Sequence, residues 1–420
     1  PTEQTLLRRL SVFSGGWSLE GAEAVCSGGE VEDWEVLDLL SRLVAKSLVV
    51  VEPPSEGQVR YHLLENLRRY ARERLTETEE ASELPLRHRD WFLTHAEAAE
   101  PHLSGPQQES WLNQLARDHD NLRVALTFSH DRADDAEAEL RLATALWKFW
   151  WIRGHFREGR NFLRRALARS EGANLLLRAK AFNDLGILAD AQGNYQNAVS
   201  YFQESLVTFR SLGDNTKVAH ALNNLGNTAS SQNDWKNARD YYEQGLTIYR
   251  TLEDEEGIAI LLMNIGIVAN HQQEYDLARS LYEESLAIFR KRNDRGQLAV
   301  VLINLGELAC NLAEYEAAHL YLLESLQIAE ALGEKEWIAS ILLTLAYTAW
   351  PQGRYEQAAK LFGAAMSILN SQGLSLSPRD QVSFTKNSDI VHTHLGEAKF
   401  QAAWRQGEGA KLSQLIRELS

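Results

Sequence analysis

Short strings ending in a small residue recur along this chain at a fixed interval. NDLG ends at Gly186, NNLG at Gly226, MNIG at Gly266, INLG at Gly306 and LTLA at Ala346, a step of forty positions each time. The same step relates Ala189, Ala229, Ala269, Ala309 and Ala349, then Tyr195, Trp235, Tyr275, Tyr315 and Tyr355, then Ala198, Ala238, Ala278, Ala318 and Ala358. A period of this length marks an architecture in which one supersecondary unit is copied and stacked. Within each unit two apolar-periodic stretches of about 15 residues flank a polar break (QGNY, QNDW, QQEY, LAEY or QGRY), which predicts a helical hairpin. Gly and Ala at fixed positions let the two helix backbones approach closely, while the aromatic and Leu positions fill the space between hairpins. One hairpin cannot bury both of its faces, so the units are expected to stack into a solenoid.

These residues resemble the tetratricopeptide repeat: Gly226, Ala238 and Tyr242 fall on its small-residue and aromatic positions. The usual period is shorter, and Arg210 and Arg250 stand where the motif closes on Pro. Unit ends such as Leu212-Gly213-Asp214 and Leu252-Glu253-Asp254 look like the longer repeats of kinesin light chains and bacterial signalling ATPases. Five repeats are read over 178–372, with capping helices expected over 373–420. Upstream, RGHFREGRNFLRRAL (153–167) matches QGNYQNAVSYFQESL (192–206) at a shift of 39, so 81–177 reads as a helical linker with degenerate repeats. The aromatics beside it, Trp147, Phe149, Trp150 and Trp151, are expected to pack between hairpins.

The segment 1–80 has a different pattern. Helices are expected from Thr5 to Val12, Leu19 to Val25 and Glu35 to Ala45, followed by strands SLVVVE (47–52) and QVRYHLL (58–64) around a Pro/Gly turn, then the helix LENLRRYARERL. Three helices and a β wing make a winged-helix domain. A DNA-reading version needs a cationic recognition helix. EVLDLLSRLVAKSL offers only Arg42 and Lys46 against Glu35 and Asp38, so direct nucleic-acid binding is not expected. The basic cluster Arg68, Arg69, Arg72 and Arg74 sits on the last helix of the domain, read as solvated or salt-bridged charge or as a dock for a neighbouring domain.

RRLSVFSGGWSLEGAEAVC, LLSRLVAKSLV and YHLLENLRRYARERL together look like the winged-helix segment of bacterial STAND ATPases and LuxR- or AfsR-type regulators. The resemblance continues through WLNQLARDHDNLRVALTF (111–128), ALWKFWWIRGHFREGRNFL (145–163) and HLGEAKFQAAWRQG (394–407). It implies a mainly α chain: a winged helix with a small β wing, a helical linker and a right-handed tetratricopeptide solenoid. It also implies a preceding nucleotide-binding domain, held shut by the winged helix and released when the repeat arm binds a protein or peptide effector. No GxxxxGK[ST] phosphate loop occurs, so no ATP or ADP is expected on this chain without that further domain, and a start at Pro1 suggests a piece of a longer protein. The resemblance assigns a nucleotide-sensing role near HLLE, at His62 and Glu65, the alternative being a strand residue facing solvent or a partner.

Other chemistry finds no anchor. Cys26 and Cys310 stand far apart in the chain and lack zinc-ribbon spacing, His392 and His394 lack ligand companions, and neither GxSxG nor HExxH occurs. No enzyme activity, metal or cofactor is therefore expected. Glu204, Glu243, Glu283 and Glu324 recur near the period and read as a solvated face, and Cys310 as a small lining residue. A net charge of −15 argues against whole-molecule attraction to phosphate backbones, and the absence of an apolar run near the ~20 residues that span a bilayer leaves a cytoplasmic protein as the expectation. The partner groove is expected along Asn224, Asn264 and Asn304, with Asp184 and Thr344 at the flanking equivalents and His220, Asn223, Asn227, Met263, Ile267, Ile303 and Glu307 beside them. The amides could contact a peptide backbone or bond neighbouring helices and fix repeat geometry. The leading reading is a sensor arm; the alternatives are a DNA-binding transcription regulator using the winged helix and a passive interaction scaffold.

Overall fold

The computed structural model describes residues 2–55, 58–105, 107–376 and 378–419. The chain is mainly helical: an N-terminal winged helix with a small three-stranded sheet, then helical linker segments, then tetratricopeptide hairpins. It divides into two compact units, Pro1–Asn224 and Leu225–Ser420.

The winged helix comprises α1 (Thr2–Leu10), β1 (Trp17–Ser18), α2 (Leu19–Cys26), α3 (Val36–Ala45), β2 (Val50–Ser55), β3 (Gln58–His62) and α4 (Glu65–Thr76). The antiparallel sheet has the order β1-β3-β2, with Trp17 opposite Tyr61 and Val51 opposite Tyr61 on the other side. β1 is a two-residue strand that the sequence pattern did not suggest. Ser18 ends it and caps α2, its Oγ accepting from the Gly21 N–H at 3.1 Å. Leu6, Leu10 and Phe13 point inward, and Phe13 stacks on Trp17 at 5.3 Å and meets Phe92 edge-on at 6.3 Å.

Phe92 belongs to α5 (Leu84–Ala99), the first of five linker helices with α6 (Gln108–Arg117), α7 (His119–Asp131), α8 (Ala136–Ile152) and α9 (Phe156–Arg169). The winged helix and these helices share one core. α8 and α9 pack against each other as a helical hairpin. Phe149 and Trp150 are buried core side chains, Trp150 stacking on Phe162 at 5.9 Å with Gly159 leaving room for its ring, and Trp147 packs half-buried against the same core, whereas Trp151 is 44% exposed and departs from the expected packing.

The repeats pair α10 (Leu175–Asp190) with α11 (Tyr195–Leu212), α12 (Asn215–Ser231) with α13 (Trp235–Leu252), α14 (Glu255–His271) with α15 (Tyr275–Arg292), α16 (Arg295–Asn311) with α17 (Tyr315–Leu332), and α18 (Lys335–Ala349) with α19 (Tyr355–Ser371). In each of the first four the small first-helix residue is glycine because a ring or a Leu sits on it. A Cβ would lie 2.5 Å from Phe202 at Gly186, 2.6 Å from Tyr282 at Gly266 and 2.6 Å from Leu322 at Gly306. The turns close by a repeated device: Gly193, Asn233, Gln273, Ala313 and Gly353 have φ between 58° and 78°. The next N–H then reaches back to the carbonyl five residues earlier, as in Asp234 N–H to Ala229 O at 2.9 Å. Gly213, Glu253, Asn293 and Gly333 do the same at the second-helix ends, and the Asp that follows the first three caps the next hairpin, Asp214 Oδ1 accepting from Lys217 N–H, Asp254 Oδ1 from Gly257 N–H and Asp294 Oδ1 from Gln297 N–H, all at 3.1 Å, whereas Glu334 makes no such cap. In the second unit α20 (Pro378–Leu395), α21 (Glu397–Glu408) and α22 (Leu412–Leu419) follow, α21 crossing α19 closely at Gly363 and Gly407. Among the described residues no helix is long and apolar enough to cross a membrane.

Candidate functional site

The first helix of each hairpin carries the row in which partner contacts are expected. In the first unit Asp184 is only 2% exposed, and one of its carboxylate oxygens, Oδ2, has no hydrogen-bond partner. Burial holds its carboxyl well above the usual aspartate range, against the pull of the Lys180 charge and a bond from Asn183. Asp184 is thus a buried side chain, contrary to its expected place on an open groove, on a helix against which α8 and α9 also pack. Its neighbour Asn183 accepts from Asn224 Nδ2 at 2.9 Å, joining α10 to α12. Asn223 and Asn224 are half-buried, while His220 is exposed.

In the second unit Asn264 and Asn304 are half-buried, as are Ile267 and Ile303, and Glu307 is exposed. Met263 is 7% exposed and packs into the core between hairpins, a second departure from the expected open row. Asn227 is exposed and accepts from the Tyr242 hydroxyl at 2.8 Å, so its amide helps to seat the ring that Gly226 admits. A second amide pair, Asn311 Nδ2 to Asn270 Oδ1 at 3.0 Å, joins α16 to α14. Both readings of the amide row therefore have a physical basis: some asparagines tie neighbouring first helices together, and the row also presents half-buried Asn and Ile side by side. Burial and the nearby Glu307 carboxylate push the Cys310 thiol up to about 12, so it is protonated at neutral pH and a poor nucleophile.

On the winged helix the residues with a foreseen nucleotide-sensing role do not converge. His62 lies on β3 with Nδ1 3.3 Å from Glu52 Oε1 across the hairpin. Glu65 begins α4 and grips Arg68 through two bonds of 2.8 and 2.9 Å, which hold its carboxyl below the usual range. On and before α3, the exposed side chains include Glu32, Asp33, Trp34, Glu35, Leu37, Asp38, Ser41 and Arg42, with Trp34 73% exposed. Lys46 is paired with Glu3. That face is acidic and aromatic, not cationic.

The residues sequence reading missed are the ones that fasten this domain to the linker helices. Asn121 on α7 is fully buried; its Oδ1 accepts from Ser14 N–H at 2.7 Å and meets His88 Nε2 at 3.2 Å, while its Nδ2 donates to Gly16 O at 2.7 Å. Arg60 on β3 donates to Asp118 Oδ1 at 2.8 Å and to Arg117 O at 3.1 Å. The string RDHDN (117–121) holds both anchor points, yet nothing local in it reveals partners as remote in the chain as Ser14, Gly16 and Arg60.

Comparison with known proteins agrees with this architecture. The tetratricopeptide-repeat family model matches residues 177–251 and 257–331, and the winged helix-turn-helix domain model matches 1–76. A putative HTH-type transcriptional regulator of Mycobacterium tuberculosis (strain H37Rv) is 35% identical over 224 residues, 51% of this chain and 25% of that protein. An uncharacterized protein of the same organism is 43% identical over 88 residues, 21% of this chain and 22% of its own length. The chain therefore spans about a quarter of the curated relatives it matches. Among solved structures, a signal-transduction ATPase with numerous domains and a tetratricopeptide sensor, from Pyrococcus horikoshii, aligns with a TM-score of 0.52 at 16% identity over 100% of this chain and 65% of that one. A Rap protein complexed with competence and sporulation factor aligns at 0.54 and 13% identity, over 84% of this chain and 91% of its own. At such identities the likeness is one of fold.

Proposed function

We propose that this chain is the regulatory, protein-interaction portion of a transcriptional regulator, in which the hairpin array binds a peptide or protein segment and the winged helix relays that event to neighbouring parts of the protein. The observation that carries the reading is the first-helix row itself. Its backbone frame is constant from hairpin to hairpin, while the side chains it presents change, from His220, Asn223 and Asn227 to Ile260 and Ile267 and then Val300, Ile303 and Glu307. The name given to the mycobacterial relatives supports a role in transcription, and the tetratricopeptide sensor of the Pyrococcus STAND protein supports a sensor arm serving an ATPase domain. No catalytic role is proposed for this chain, and a cytoplasmic location suits the proposed role.

The test is selection of peptides on the full chain followed by substitution of Asn264 and Asn304 to Ala. If each amide contributes about 1 kcal/mol to a peptide contact, the double variant weakens the selected peptides about 30-fold while the melting temperature holds. Unchanged affinity per folded molecule combined with a lowered melting temperature would assign the row to structure and leave the array a scaffold.

The relatives' name favours a second reading, direct DNA binding through the winged helix. Arg42 is the exposed cation on α3 beside Asp38 and Trp34, which argues for a protein partner at this face. Fluorescence anisotropy with a labelled duplex decides it. Binding with a steep inverse dependence on salt, reduced in Arg42→Ala, would establish the second reading.

A further inference from the structure

A cavity of about 340 Å3 opens in the first unit between the end of α1 and helices α4, α5 and α7. It lies at the small end of the roughly 300–1,000 Å3 that ligand pockets occupy. Most of its wall is apolar: Val12, Pro85, Val124, Phe128 and the Thr127 methyl. Into this wall α4 places the half-buried Arg72, whose guanidinium has no hydrogen-bond or ion-pair partner among the described residues.

Its neighbours explain why it is alone. Arg68 has Glu65 three residues before it and Arg74 has Glu77 three residues after. Arg72 instead has Arg68 and Arg69 before it and Leu75 and Thr76 after, so the helix supplies no carboxylate at the spacing that pairs. The other cation of the wall, Arg123, is spent on Glu158 at 2.5 and 2.8 Å. His88 adds no charge: burial brings its pKa down to about 4, and its Nε2 faces Asn121 Oδ1, so the ring is neutral with Nε2 donating. Asp131, exposed at the rim, forms no ion pair with Arg72. Burial and the Arg68 charge both work against the Arg72 cation, and no carboxylate counters them. A guanidinium in such a place is stabilised when an anion completes it, because its desolvation is then offset by charge-assisted hydrogen bonds in fork geometry.

We propose that this cavity binds a small organic carboxylate, its carboxylate held by the Arg72 guanidinium and its apolar body packed against Pro85, Val124 and Phe128. Neither a free inorganic anion nor a neutral apolar molecule satisfies both halves of the wall. Because the wall is built from α4 of the winged helix together with α5 and α7, occupancy would brace that domain against the helices that Asn121 and Arg60 already fasten to it. This inference stands apart from the reading of the repeats.

The test uses the full chain and sodium benzoate as the probe, with sodium chloride at equal ionic strength, inorganic phosphate and benzyl alcohol as comparisons, read by calorimetric titration and by melting temperature. Saturable benzoate binding that raises the melting temperature, exceeds the effect of phosphate and benzyl alcohol and falls at least 10-fold in Arg72→Met is expected. Without ligand, Arg72→Met should melt no lower than the wild type, since Met keeps the length of the stem and removes an unpaired charge. Should that variant fail to fold, Val124→Trp fills the cavity with Arg72 intact and must also abolish benzoate binding. Benzoate acting no differently from chloride, phosphate binding as well as benzoate, or benzoate affinity surviving either substitution would overturn the proposal.

Discussion

Replacing Gly226 by Ala sets two effects of opposite sign against each other, and the geometry decides which prevails. In a helix interior the change should stabilise by about 0.8–1 kcal/mol through backbone propensity alone. The new methyl, however, would lie 2.5 Å from Cδ1 and 2.9 Å from Cζ of Tyr242, where ordinary contact begins near 3.4 Å. Tyr242 is buried on α13 and its hydroxyl donates to Asn227 at 2.8 Å, so the ring cannot swing aside without breaking that bond or parting α12 from α13. Overpacking of this kind costs about 1–3 kcal/mol, and loss of the hydroxyl bond about 0.5–1.5 kcal/mol. The expected net loss is about 2 kcal/mol, a fall of roughly 4–8 °C for a unit of this size. Gly296→Ala is the matching control. It lies at the start of α16, where the nearest atoms to a new methyl are Asp294 Oδ1 at 3.6 Å and Trp337 at 3.9 Å, so propensity acts unopposed and the melting temperature should rise by a degree or more. Circular dichroism melts of the full chain measure both, taking the transition that shifts as that of the second unit, since a repeat array need not melt in one step. Gly226→Ala melting at or above the wild type, or the two variants moving together, would refute the close-crossing argument.

Three further expectations follow from particular side chains. Ala313 holds φ of 58° without a polar side chain to support it, where Gly193 and Gly353 hold the same turn, so Ala313→Gly should raise the melting temperature by about 1–3 °C, the left-handed penalty of roughly 1–2 kcal/mol being partly offset by the freer unfolded chain. Asp184 has a raised folded pKa, so the folded state holds the proton longer than the unfolded one. Its stabilising contribution is complete below the ordinary aspartate pKa and is lost as pH rises, and the advantage of Asp184→Asn over the wild type should grow from pH 4 upward in pH-resolved denaturant titrations. His88 acts in the opposite direction: its pKa falls to about 4 through burial, so the unfolded state takes up the proton first and stability drops between about pH 6.5 and 4. That loss is on the order of 3 kcal/mol, and the same titration on His88→Gln should show the slope flattened.

What could be read from the chain alone was whatever depends on spacing. The forty-position step, the hairpin breaks and the order of helices and strands in the first domain are local patterns, and hydrophobic periodicity reports them directly. β1 escaped because two residues carry no alternation, and it exists only through pairing Trp17 and Ser18 with Tyr61 and Arg60. The left-handed turns at Asn233, Gln273 and Ala313 escaped because glycine is the usual signal, and here the fold imposes the conformation on other residues. Asp184 was misplaced because repeat equivalence places it with half-buried Asn224, whereas its own side chain is 2% exposed on α10, a helix that also packs against α8 and α9 outside the strict period. The Asn121 clamp was invisible because its value lies in Ser14 and Gly16, 107 and 105 residues away.

The repeats themselves show how one frame could serve both stability and recognition. The positions that set the distance between paired helices hardly vary: small at 186, 226, 266, 306 and 346, large at 202, 242, 282, 322 and 362, always sixteen positions apart. Steric fit at these places leaves almost no latitude, as the contacts a Cβ would make demonstrate. Three residues before each small position the chain carries Asn183, Asn223, Met263, Ile303 and Leu343, and one residue after it Ile187, Asn227, Ile267, Glu307 and Tyr347. Here polarity, charge and size change from one hairpin to the next, although the helical geometry is the same. A position that served packing alone would be expected to drift only among side chains of similar volume and polarity. Within the second unit the spread from Asn to Ile to Glu at 227, 267 and 307 is what the proposed groove needs if successive hairpins are to meet different parts of one extended partner, and it is there, beside Asn264 and Asn304, that recognition should be sought first.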